Sequence, residues 1–142
     1  MRRSTMTGLA GALVLTGCGG GTEASGPALS VLAQQGKSVF NQCSACHSIA
    51  AGEPHRSGPN LHGVVGAPIG SRDGYNYSPA LANADGVWTE DRLDAWLENP
   101  KGDLAGHKMA FGGLSNAEER TAVITYLNEA SQDSASGNAP TE

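Results

Sequence analysis

Aromatic side chains are scarce in this sequence: two Phe, two Trp and three Tyr among 142 residues. A globule of about 100 residues, as expected once the two ends are set aside, buries only a modest core by itself. Basic residues are in deficit too, 9 Lys and Arg against 14 Asp and Glu. That balance argues against nucleic-acid binding and against electrostatic adhesion to anionic lipid. The three cysteines make one C-x-x-C, with no second such pair and no H-x-x-x-H, so a zinc site lacks its remaining ligands. A thioredoxin-like dithiol needs a βαβ pattern, and no stretch alternates as a strand. There is no internal repeat.

What is present is Cys43-Ser44-Ala45-Cys46-His47, the C-x-x-C-H attachment sequence of a c-type haem. Residues at i and i+3 share one face of a helical turn, so Cys43 and Cys46 can both reach the vinyl groups of one porphyrin. His47 then offers its imidazole to the iron from one side. A covalently held porphyrin also supplies apolar surface that the sequence itself is short of.

The two ends do not look like packed domain. Arg2 and Arg3 precede a short, mostly apolar stretch from Thr7 to Thr16, which has the layout of a secretory signal and is too short to span a bilayer. It closes on Leu15-Thr16-Gly17-Cys18, which resembles the lipobox of bacterial lipoproteins. Residues 1–17 are therefore expected to be a signal peptide and Cys18 a lipidated N-terminus. The other reading is a later cut near Ala24-Ser25-Gly26, with Cys18 discarded. Residues 18–29 read as a flexible linker with an r.m.s. span of about 20 Å, residues 30–130 as the folded domain, and residues 131–142 as a disordered tail. Loss of Arg2 and Arg3 leaves 7 basic residues against 14 acidic ones, a net charge of about −7.

Inside the domain the pattern is all-α. Leu32, Gly36, Val39, Phe40 and Cys43 share a stripe on a helix expected from Ser30 to about Cys43. Residues 50–79 are rich in Gly, Pro, Ser and Asn, and a loop region this long needs something to wrap on. Thr89 is a candidate N-cap for a helix carrying Leu93, Trp96 and Leu97, which Asn99-Pro100 stops. Ser115-Asn116-Ala117-Glu118 reads as a capping box ahead of Val123, Tyr126, Leu127 and Ala130. Between these helices Met109 lies in a glycine-bounded loop, Gly106 to Gly113. A thioether is a soft ligand that suits haem iron.

With these pieces in place the chain resembles class I cytochrome c of the short, mitochondrial-like bacterial type, from Gly36 to Leu127. The resemblance rests on C-S-A-C-H, G-P-N-L-H-G, G-Y-N-Y, V-W, L-E-N-P-K, G-H-K-M-A-F-G-G and the terminal helix. It implies one covalent haem c held by Cys43 and Cys46, with His47 as proximal and Met109 as distal iron ligand. It implies further that the Pro59 carbonyl accepts from His47, that Tyr77 and Trp88 bond a buried propionate, and that Gly36 meets Tyr126 at a helix crossing. Four positions depart from the family: Ala67 for an arginine, Leu81 for an asparagine, Trp96 for a tyrosine and Ala105 for a proline.

The expected function is one-electron transfer, not enzymatic catalysis, because two protein ligands leave the iron no open position. The expected partners are membrane redox complexes: a quinol-oxidising complex as donor, and a terminal oxidase or reaction centre as acceptor. The protein would be a monomer, exported to the bacterial cell envelope and lipid-anchored facing the periplasm. The alternative is a haem peroxidase or small-ligand binder with a labile Met109. His55 and His62 read as loop residues, and His107 as a competing ligand at most. Lys108 is a candidate to replace Met109 at high pH.

Overall fold

A computed structural model describes residues 28–136. The signal segment, Cys18 and most of the linker lie outside the described residues, as do residues 137–142. Five helices follow in order: α1 Val31–Phe40, α2 Pro79–Ala82, α3 Glu90–Glu98, α4 Pro100–Asp103 and α5 Ala117–Ser136. Among the described residues the only β feature is an isolated antiparallel bridge, Pro68 to Val87, so the fold is all-α as expected. No described helix is long and apolar enough to cross a membrane.

The frame is the crossing of α1 and α5. A Cβ on Gly36 would lie 1.9 Å from the Ala122 carbonyl oxygen and 2.8 Å from Tyr126 Cβ, so only glycine permits this approach. Phe40 and Tyr126 meet beside it, ring centroids 5.3 Å apart. Ser30 caps α1 by accepting from the Ala33 amide, 3.1 Å, and donates its own amide and hydroxyl to the Glu129 carboxylate on α5.

The buried stripe of α1 is Ala33, Gly36 and Phe40. Leu32, expected on it, is exposed, because Ala33 rather than Leu32 falls on the side facing α5. The helix ends at Phe40, and residues 41–46 continue as hydrogen-bonded turns. At the other end the cap is Asn116, whose Oδ1 accepts from the Glu118 amide, 2.9 Å; Ser115 instead offers its carbonyl to Arg120. The boundary expected at Ser131 is also displaced, since α5 runs on to Ser136. Ser131 itself bonds the Leu127 carbonyl and the Gly63 amide, holding that turn of helix to the loop region.

Thr89 caps α3 as expected, accepting from the Arg92 amide. Asn99 ends α3 and its side chain caps α4 from Gly102, so Pro100 starts a new turn as well as stopping the old one. Arg120, on the buried side of α5, ties the frame together. Its Nε donates to Asp94 on α3 at 2.8 Å, and its Nη1 to the Leu114 and Ser115 carbonyls.

Candidate functional site

Helices α1, α3 and α5 and the two long loops enclose a cavity of about 280 Å³. Its walls include Phe40, Leu61, Val64, Leu93, Trp96, Leu97, Val123 and Leu127, and Cys43, Cys46, His47 and Met109 all border it. Six of the seven aromatic residues line it, and the seventh, Tyr126, packs on Phe40. The scarce aromatics are spent here.

The turn after α1 presents the motif. The Cys43 carbonyl accepts from both the Cys46 and His47 amides at 3.0 Å, which keeps the C-x-x-C-H stretch wound as a turn. His47 Nδ1 donates to the Pro59 carbonyl at 2.7 Å, as the resemblance implies. With that proton placed, Nε2 of the neutral ring keeps its lone pair. Burial holds the His47 pKa below the ordinary imidazole value, the Pro59 bond opposing it, so neutrality is favoured. Burial pushes the Cys43 thiol up, with Cys46 beside it adding to the effect.

Two residues of the G-P-N-L-H-G stretch, to which the sequence assigned no individual role, hold this side together. Gly58 lies against the His47 ring: a Cβ there would sit 2.4 Å from Cε1 and 2.7 Å from Nδ1. The Gly58 amide donates back to the Cys46 carbonyl, 2.7 Å. Asn60 is buried and fully used, its Nδ2 donating to the Ala50 and Glu53 carbonyls and its Oδ1 accepting from the His62 amide. His55 joins the same staple, with Nδ1 accepting from the Asn60 amide and Nε2 donating to the Asp73 carbonyl. In the sequence Gly58 and Asn60 were legible as loop chemistry and as part of the G-P-N-L-H-G motif, with no sign of what each one holds.

Tyr77 and Trp88 both line the cavity. Trp88 is placed by the bridge region, its amide donating to the Ala67 carbonyl at 2.8 Å. Burial raises the Tyr77 pKa, so its hydroxyl stays protonated and able to donate. Beside it, Ser78 Oγ is buried with no hydrogen-bond partner among the described residues. Arg72 also borders the cavity, its Nη2 donating to the His62 carbonyl. Among the described residues that line the cavity it is the one arginine.

Met109 reaches the cavity from the loop after α4. His107 does not line it; its Nδ1 accepts from the Met109 amide at 3.1 Å, and its ring stands edge-on to Trp96 with centroids 4.9 Å apart. Lys108 donates to the Asn76 carbonyl and lies 5.3 Å from the centroid of the Tyr75 ring. These residues fit a covalent haem: two thiols on one turn, a neutral imidazole and a thioether, apolar walls, and at one edge an orphaned hydroxyl among polar side chains.

The comparisons with known proteins agree. The family model for cytochrome c matches residues 33–131. The chain is 42% identical over 98 residues to cytochrome c of Kluyveromyces lactis, covering 68% of this chain and 89% of the relative. It is 44% identical over 93 residues to cytochrome c2 of Rhodomicrobium vannielii, covering 66% and 74%. Among solved structures it is similar to cytochrome cH from Methylobacterium extorquens, with a TM-score of 0.65 and 39% identity, covering 68% of this chain and 97% of that one.

Proposed function

The chain belongs to the class I cytochrome c family, and on that premise we propose that it is a lipid-tethered electron carrier in which His47 and Met109 ligate the iron. That it carries haem c and transfers electrons, rather than acting as an enzyme, follows from the family itself. The observation that carries the ligand assignment is the convergence of Cys43, Cys46, His47 and Met109 on one apolar cavity, with His47 Nδ1 committed to Pro59.

Haem c, when bound, supplies a ferric–ferrous couple that moves one electron at a time. The protein's part is to bind, orient and dehydrate. Cys43 and Cys46 hold the ring covalently, so none is lost on dilution. Pro59 and Gly58 fix the His47 ring in tautomer and in plane, the kind of outer contact that sets ligand basicity. Met109 completes the ligation with a soft donor, which raises the reduction potential. The apolar walls keep water from the iron, and Tyr77, Trp88 and Ser78 provide donors for the carboxylate edge. Two protein ligands leave no position for a substrate.

Bacterial class I cytochromes c are exported to the periplasm, and the signal segment of residues 1–17 accords with that. Cys18 then supplies a lipid anchor, with the Gly-rich linker as a tether. A tethered domain searches a membrane patch at high effective concentration, so it does not depend on electrostatic steering by its few lysines, Lys37, Lys101 and Lys108. The partners in this reading are a quinol-oxidising complex as donor, and a terminal oxidase or reaction centre as acceptor. Expression of the full chain in a bacterium with haem-attachment machinery tests the anchor. The wild-type protein is expected in the membrane fraction, released by detergent, and Cys18→Ser in the soluble periplasm. A soluble wild-type protein beginning near residue 25 would contradict the tether.

A further inference from the structure

The loop that carries Met109 is held at its two ends and at a few points between, Lys108 bonding the Asn76 carbonyl among them. It is reached through Ala105 and Gly106, whose φ is +90°, and left through Gly112 and Gly113. The exit glycine is there for a close approach: a Cβ on Gly113 would lie 2.3 Å from the Glu98 carbonyl oxygen. The loop is anchored at its base by the His107 amide to the Leu104 carbonyl, 3.4 Å, and at its exit by the Leu114 amide to the Leu97 carbonyl, 2.7 Å. Between them the Met109 amide donates not to a carbonyl but to His107 Nδ1.

That imidazole is itself positioned from the core. Its ring meets Trp96 edge to face at 4.9 Å and 71°. Trp96 is buried on α3 and packs on the buried Trp88, 5.5 Å away. Three rings therefore run from the wall of the cavity to the backbone of Met109. Because Nδ1 accepts, the proton of the neutral ring is on Nε2, which is buried with no partner among the described residues. Among the described residues the ring's hydrogen bond is the one at Nδ1, and its aromatic contact is Trp96.

We propose that His107 is the positioning residue for the Met109 thioether: it clamps the Met109 amide against Trp96 and so sets where the ligand stands. This rests on Met109 being the iron ligand. Its role is as a hydrogen-bond acceptor with a rigid stem, which is a separable pair of properties. His107→Phe keeps the ring on Trp96 and removes the acceptor. His107→Asn gives up the ring but restores an acceptor two residues before the amide, as in an Asx turn. His107→Ala removes both.

Two measurements on the haem-loaded proteins decide it. One is hydrogen exchange of the Met109 amide by NMR in the ferrous state, and the other is the affinity of the ferric protein for added imidazole. Loss of one net hydrogen bond corresponds to about a fivefold change. His107→Phe and His107→Ala are expected to exchange faster and bind imidazole more tightly by about that factor, with His107→Asn close to wild type. If His107→Phe matches wild type in both, or His107→Asn is as loose as His107→Ala, the acceptor does nothing and the proposal is wrong. Amide exchange reports the clamp whether or not Met109 is on the iron. A wild-type spectrum lacking iron–thioether ligation would overturn the ligand assignment, and with it the clamp's purpose, while amide exchange still reads the bond itself.

Discussion

The His47 side and the Met109 side of the cavity are built in opposite ways. Around His47, nearly every group has a partner: Pro59 takes Nδ1, Gly58 lies on the ring, and Asn60 and His55 staple the loop behind them. Around Met109, a glycine-bounded loop is anchored at its base to Leu104 and at its exit to Leu97, with one amide bond to His107 and Lys108 reaching Asn76 between them. A rigid imidazole and a thioether on a looser strap divide the work. In the proposed ligation the first would fix the haem in place, and the second would stand where its loop puts it. The Met109 side is also where two of the departures from the family fall, Trp96 and Ala105.

The comparison breaks first at Gly58. Gly58→Ala places a methyl within contact-forbidden distance of an imidazole that cannot move without losing Pro59. Overpacking of that kind costs about 3 kcal/mol at the upper end, read as a fall in thermal midpoint of the holoprotein with a disturbed His47 resonance in NMR. An unchanged midpoint would mean that the His47 loop is as yielding as the Met109 loop. Asn60→Ala comes next. It removes three hydrogen bonds at a buried site, about 2–3 kcal/mol in all, and denaturant unfolding should show it as a lower midpoint at unchanged slope. Gly112→Ala sharpens the contrast from the other side. A Cβ there meets nothing within 4 Å, so the change should stay within about 0.5 kcal/mol and leave the visible spectrum alone. A large loss would show that the Met109 loop is tighter than its few bonds suggest.

The parts of this molecule that the sequence discloses are those where a residue type has one main use. Thr89 before an acidic first turn caps α3 and Gly36 on an apolar stripe admits the close approach of α5, while the C-x-x-C-H turn and the Met of the glycine-bounded loop border one cavity. Leu32 does not hold its expected place, because periodicity gives the spacing of a stripe and leaves its phase open when Ala33 fits the α5 contact better. The cap at Asn116 rather than Ser115, and the run of α5 to Ser136, reflect polar residues that serve equally in helix and loop. Asn60, Gly58 and His107 lie in motifs that carry the resemblance, but what each one holds shows only once the loops are folded. Cavity-lining Tyr77 and Trp88 were recognisable through resemblance, while Ser78 and Arg72 became visible only once the loop was wrapped.

The central claim is that His47 and Met109 together ligate the iron of a covalent haem. The visible spectrum of the mature protein, oxidised and reduced, tests it most directly. The account predicts a weak red charge-transfer band in the ferric form that disappears on reduction, the mark of iron–thioether ligation. A high-spin ferric spectrum without that band would contradict it.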